Sequence, residues 1–178
     1  IALGMVYPVA GVLWRTQYET GRANGIDTPL TLDGIASVAS ADDLAAIECL
    51  SQLVQGGNVV VAERIGNSYD IDNPPSGLAG RIAGLPNVMN WPGHQGQWRG
   101  TTYTEATGTR QQDMDILYGQ TDWAAVQDVI RRYGIDYIVF GSAERQKYGA
   151  GADIKFRDRL ALVCEFGGSR VYSTLTGN

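Results

Sequence analysis

Lysine, histidine and cysteine are scarce in this chain: its 178 residues include two lysines, Lys147 and Lys155, one histidine, His94, and two cysteines, Cys49 and Cys164. Each shortage weighs against a class of function. Fourteen basic residues against nineteen acidic ones give a net charge of −5, and with no lysine or arginine block to pair with a phosphate backbone the chain is not expected to bind nucleic acid. One histidine and two distant cysteines provide no compact zinc pattern; His94 with Glu63 and Asp113 suggests at most an oxygen-rich divalent-metal site. The cysteines fall in apolar segments, one of helical and one of strand pattern, and are expected as buried small hydrophobes rather than as a disulfide. The phosphate loop and the Gly-x-Ser-x-Gly nucleophile elbow are also missing. Gly77-Leu78-Ala79-Gly80 lacks the rest of a dinucleotide fingerprint.

The opening run Ile1 to Trp14 is apolar but too short to cross a bilayer core of about 30 Å. It has neither the positive leader nor the processing site of a signal peptide. Two readings remain open: residues that trail or dock beside a membrane span, or a buried amphipathic terminal helix. Residues 1–30 are therefore set apart as a membrane-proximal or terminal extension, and 31–178 as a single soluble domain.

What is present is enough for a core, since 44% of residues are apolar. Residues 20–29 read as irregular and Thr31-Leu32-Asp33-Gly34 as a turn. Ser40 and Asp43 form a variant capping box ahead of Leu44, Ile47, Leu50 and Val54, which predicts a helix over 41–55. Apolar runs at 58–63, 85–90 and 136–141 predict strands covered on both faces. Helical spacing resumes near Arg110 to Tyr118. It returns after Thr121 or Asp122 through Trp123, Val126, Ile130 and Tyr133 to a Gly134 cap, and again in a short helix capped by Ser142. Residues 160–166 and 170–175 around Gly167-Gly168-Ser169 read as a hairpin. The fold class is α/β: a three-layer, Rossmann-like domain with a mostly parallel or mixed sheet and a C-terminal β-hairpin.

If the first three strands are parallel, Glu63 to Tyr69, the presumed loop Trp91 to Arg99, and Gly141 to Arg145 all leave their carboxyl ends, where open α/β sheets place ligands. Trp91 and Trp98 can stack on a sugar face or lie under lipid headgroups. His94 can serve as a general base or a hydrogen-bonding group. Arg99 and Arg110 can fork onto phosphate or carboxylate, or pair locally with Asp113 and Asp115. The same charged residues also fit a purely structural ion-pair network, and the tryptophans a cover over the sheet edge.

Several fragments in order resemble the YYY family (DUF2298) of polytopic membrane proteins, in its C-terminal extracytoplasmic portion. They are Tyr7-Pro8, Thr31 to Gly34, Asp43 to Ile47, Glu63 to Tyr69, His94-Gln95-Gly96-Gln97-Trp98-Arg99, Arg110 with Asp113 and Tyr118, and Tyr137 to Gly141 through Glu144-Arg145 and Tyr148. The family pattern has glutamate where this chain has Gln95, so an acid–base role at that position is not carried over. The resemblance implies a soluble, extracytoplasmic domain of a membrane glycosyltransferase-like protein, partnered by its own transmembrane region and assisting recognition of a glycan or lipid-linked sugar. Catalysis and any divalent metal would then belong to the full-length protein. Trp91, His94, Gln97, Trp98 and Arg99 would shape a pocket walled by Glu63, Tyr69, Arg110, Asp113, Glu144 and Arg145. Two alternatives stand beside it: a self-contained hydrolase or transferase using His94 with Glu63 or Glu144, and a structural or protein-interaction module without a catalytic site.

Overall fold

Ser40 holds extended backbone and its Oγ accepts the Asp43 N–H at 3.1 Å, which starts α2 (Ala41–Val54). In the computed structural model, residues 2–19, 34, 39–55, 58–67 and 74–175 are described. The predicted irregular stretch 20–29 and Thr31 to Asp33 lie outside them, whereas Gly34 is in a turn. The chain divides into two units, Ile1–Ser37 and Val38–Asn178. The first contains α1 (Ala2–Glu19), with Pro8 inside it. Among the described residues no helix is long and apolar enough to cross a membrane.

The second unit is a mixed α/β domain built on a four-stranded sheet of order β1-β2-β4-β3. β1 (Val61–Ala62) runs parallel to β2 (Tyr137–Phe140), with Val61 opposite Tyr137. The hairpin of β3 (Ala161–Phe166) and β4 (Ser169–Ser173) then adds antiparallel to β2 through β4. Strand alternation sends Ile138, Phe140 and Tyr172 into a core with Met114, Leu117 and Val126. Val139 and Val171 enter a second core with Ala46, Ile47, Leu50 and Leu78. Apolar helix stripes thus cover both faces, and each fully buried Leu or Ile contributes on the order of 2 kcal/mol.

Several expectations are corrected. Residues 85–90 do not form a strand: Val61 makes a single parallel bridge to Asn87, because Pro86 supplies a carbonyl to Val61 but has no N–H to continue a ladder. Residues 66–84 are rich in glycine, proline, asparagine and serine, which argues against a central element, yet they include α3 (Leu78–Ala83), bounded by left-handed Gly77 and Gly84. The presumed tryptophan loop is α4 (Pro92–Arg99), since proline at the first helical position gives up no hydrogen bond. A 3₁₀ turn over Gly100–Thr102 and α5 (Tyr103–Thr107) follow.

α6 (Arg110–Gly119) and α7 (Trp123–Tyr133) form close to their predicted bounds; Asp122 caps α7 by accepting the Ala124 N–H, and Gly134 ends it. Gly141, not Ser142, is the cap of α8 (Ser142–Tyr148), and α9 (Ile154–Arg157) precedes the hairpin. Packing of α2 on β3 also overturns the reading of the cysteines: Cys49 and Cys164 are joined in a disulfide, their Cα atoms 6.2 Å apart.

Candidate ligand-binding cleft

The carboxyl ends of the parallel strands carry acids. Glu63 directly follows β1 and Glu144 lies in the first turn of α8 after β2; both are buried. With Asp43 from α2 they line one cavity of about 10 Å³, the room a single water needs. Their oxygens are largely committed. Glu63 accepts the Ala79 N–H and the Asn87 Nδ2–H, both at 2.9 Å. Glu144 accepts the N–H of Arg64 at 2.7 Å and of Gly141 at 2.8 Å. Asp43 Oδ1 accepts the Ser142 N–H at 3.0 Å and the Ser169 hydroxyl, while its buried Oδ2 has no partner among the described residues.

Electrostatics separates the three. Burial, reinforced by the like charge of Glu144, pushes Glu63 up to about 7. Burial also raises Glu144 against its backbone hydrogen bonds. For Asp43 burial acts upward too, but the hydrogen bonds from Ser169 and Ser142 outweigh it and hold the carboxyl below its ordinary value.

A second space of about 390 Å³ lies beside this cavity, sharing Gly77 as a wall. It is lined by Arg81 of α3, by Gln95, Trp98 and Arg99 of α4 with its cap Trp91, and by Arg110 of α6. Asn87 and Asn90, from the segment between α3 and α4, complete the polar wall. Glycine is required where those amides pack: a Cβ on Gly77 would stand 2.6 Å from Asn90 Nδ2, and one on Gly80 2.9 Å from Asn87 Nδ2. Trp91 takes left-handed backbone, φ 47°, an unusual conformation for a bulky residue and one that sets its ring at the cleft.

No aspartate or glutamate is among the described residues lining the cleft, although the chain is acidic overall. Arg99 Nε donates to Gln95 Oε1 at 2.8 Å, which braces the guanidinium along α4. Arg110 donates to the Ala106 carbonyl and lies over the Tyr133 ring. Trp98 is 72% exposed, so the aromatic rim is open. Guanidinium groups beside indole faces, with no carboxylate among the described lining residues, suit a polar ligand that carries an anion.

The predicted site residues therefore separate. Trp91, Trp98, Arg99 and Arg110 meet in the cleft; Glu63 and Glu144 meet in the carboxylate cavity. His94 lines neither: its ring stands edge-on to Trp91 at 6.4 Å and stacks on Trp98 at 5.5 Å. Gln97 is exposed on α4 outside the cleft lining. Tyr69 lies outside the described residues.

Asp113 is not a ligand group or a partner for Arg110, because it accepts from Thr109 at 2.7 Å, from Arg132 at 2.9 Å and from Tyr133. Asp115 likewise pairs with Lys147 and Tyr148. Arg145 turns away to the Gly168 carbonyl and to Ser142 Oγ at 2.9 Å, bracing the hairpin turn. Among the described residues no group of three or more His, Cys, Asp or Glu side chains has the geometry to hold a metal ion.

Asp43, Arg81, Asn87, Asn90 and Gln95 are the participants that sequence reasoning missed. One signal was available for the cleft: between Asp72 and Glu105 the chain has no acidic residue, yet Arg81 and Arg99 fall there. Compared with family models, curated proteins and solved structures, the chain has no match.

Proposed function

We propose that this domain is a binding module that receives a small anion-bearing ligand, a phosphate or carboxylate on a sugar-like frame, in the cleft between α3, α4 and α6. The observation that carries the reading is the cleft's charge: Arg81, Arg99 and Arg110 without an acidic lining residue among those described. Guanidinium forks give directional hydrogen bonds to such anions, and Trp91 and Trp98 offer faces for the ligand's apolar side. A reaction centre is not part of this reading. Glu63 and Glu144 enclose room for about one water, and His94 is engaged with tryptophan rings.

The motif resemblance alone supports placing the module in a longer glycosyltransferase-like membrane protein, where it would help to present a glycan or lipid-linked substrate. The disulfide favours an oxidising, extracytoplasmic setting. The parallel β1–β2 pair, covered on both faces, supports a Rossmann-like kinship with its ligand edge at the strand ends.

Titration calorimetry with glucose 6-phosphate, glucuronate and glucose tests the reading. At least one of the two acids is expected to bind better than glucose, and Arg99→Ala, an exposed change, to weaken it about tenfold. Glucose binding as well as both acids do, or affinities indifferent to Arg99→Ala, defeats the reading.

A further inference from the structure

One hydrogen bond joins the carboxylate cavity to the cleft. Glu63 Oε2 accepts from Asn87 Nδ2 at 2.9 Å, Glu63 lines the cavity, and Asn87 lines the cleft. Only the NH₂ end of an amide can face an ionised carboxylate, so the charged Glu63 fixes Asn87 with its donor inward. Asn87 Oδ1 is then buried with no partner among the described residues. A carboxyl that holds its proton has the opposite need. Its O–H donates, the Asn87 amide turns over so that Oδ1 accepts, and the NH₂ takes the buried place that Oδ1 held.

We propose that Glu63 is the positioning residue of the cleft: by taking up a proton from solvent it reverses the Asn87 amide, so that anion binding and proton uptake are one coupled event. The inference rests on reading the cleft as an anion site and adds how that site is controlled. The coupling has two sources. The dipole of the Asn87 amide reverses beside a cleft that Asn87 lines with Arg81, Arg99 and Arg110, and the negative charge of Glu63, one side chain behind, disappears. By linkage an anion in the cleft favours the neutral carboxyl to the same extent. Release of the anion returns the proton to solvent.

The surroundings of Glu63 fit this role. Glu144 of α8 and Asp43 of α2 share its cavity as like charges, and the Ala79 amide of α3 holds Oε1. Tyr118 of α6 is also within electrostatic reach; its hydroxyl donates to the carbonyls of Ala62 at 2.9 Å and Val139 at 2.8 Å. Arg64, the next residue, gives its backbone N–H to Glu144. Burial and the charge of Glu144 bring Glu63 to about 7, so a modest change in cleft charge alters its protonation near neutrality.

Sulfate is the probe, because its charge does not change between about pH 5.5 and about pH 8.5. It is expected to bind about tenfold more tightly at the lower pH, the equivalent of a one-unit change in the protonation equilibrium. Calorimetry in two buffers of different ionisation enthalpy should show proton uptake on binding above neutrality. Glu63→Gln should bind tightly at both pH values, and His94→Gln should keep the dependence, which separates Glu63 from the chain's one histidine. In the wild-type protein the Asn87 side-chain amide resonances should shift with pH and with sulfate together, a readout that does not depend on the variant folding. Sulfate binding of equal strength at both pH values, or a dependence that survives Glu63→Gln, overturns this inference and leaves the cleft reading standing. Absence of sulfate binding at both pH values overturns both.

Discussion

The disulfide between Cys49 and Cys164 ties α2 to β3 across 115 positions of sequence. Closing a loop of that length lowers the entropy of the unfolded chain, and the chain-entropy relation gives about 5 kcal/mol as the upper figure at 25 °C. Measured values for native disulfides run at about 2–5 kcal/mol. Since Cys164 is buried, a serine there also places a hydroxyl in an apolar site, which works in the same direction. A domain of this size loses about 3–4 °C of melting temperature per kcal/mol, so Cys49→Ser with Cys164→Ser should lower Tm by about 10–15 °C. Urea unfolding followed by circular dichroism adds a second signature: without the cross-link the denatured chain expands, and the slope of stability against urea should steepen. Alkylation of the denatured, unreduced protein should leave both sulfurs unmodified. Two alkylated cysteines in protein recovered from an oxidising compartment, or a Tm loss below about 3 °C, would refute the reasoning.

Two further perturbations address the buried charges. Glu63 is raised from 4.5 to about 7, so the folded state holds the extra proton within that window and stability falls as pH rises through it, by about 2–4 kcal/mol. Glu63→Gln keeps an acceptor for the Ala79 N–H and should lose that part of the slope when urea stability is compared at about pH 5 and about pH 8; parallel curves for the two proteins would contradict the assignment. Asp153 is fully buried and accepts from Tyr172 at 2.7 Å, Arg170 at 3.1 Å and Arg157 at 3.2 Å. Asp153→Ala leaves the Tyr172 hydroxyl without this acceptor and Arg170 with Glu165 as its remaining carboxylate partner among the described residues, and should destabilise by about 2–4 kcal/mol in the same assay, whereas a loss under about 1 kcal/mol would show the cluster to be dispensable.

Local chemistry explains which elements were legible. α7 has apolar residues at three and four residue spacing between Asp122 and Gly134, so period, start and stop agree. The terminal hairpin carries its own turn, Gly167-Gly168. α3 and α4 were hidden because glycine and proline normally interrupt helices, whereas here Gly77, Gly84 and Pro92 sit at helix boundaries. In sequence Asp43 reads as a local capping residue, but its Oδ1 serves Ser142 and Ser169, which are far away along the chain. The cysteines carried no pairing signal, since only the packing of α2 on β3 makes them neighbours.

The candidate site was legible by residue type and less so by grouping. Aromatic and guanidinium side chains between Trp91 and Arg110 marked a surface, and four of them meet in the cleft. Joining His94, Asp113 and Arg145 to it required knowing their tertiary partners: the indole rings, Arg132 with Tyr133, and Gly168 with Ser142. Asn87 and Asn90 look like ordinary turn residues until Gly77 and Gly80 bring the α3 backbone against their amides.

At the centre of the account, an anion binds in the cleft of Arg81, Arg99 and Arg110, where no acidic residue is among the described lining residues. The most direct measurement of that binding is a nuclear magnetic resonance titration of the side-chain N–H groups with sulfate. The signals of Arg81, Arg99 and Arg110, with the amides of Asn87 and Asn90, should move together along one saturable curve, while Arg131, Arg157 and Arg170 elsewhere on the domain stay in place. Uniform small shifts of all these arginines, without saturation, would contradict the claim.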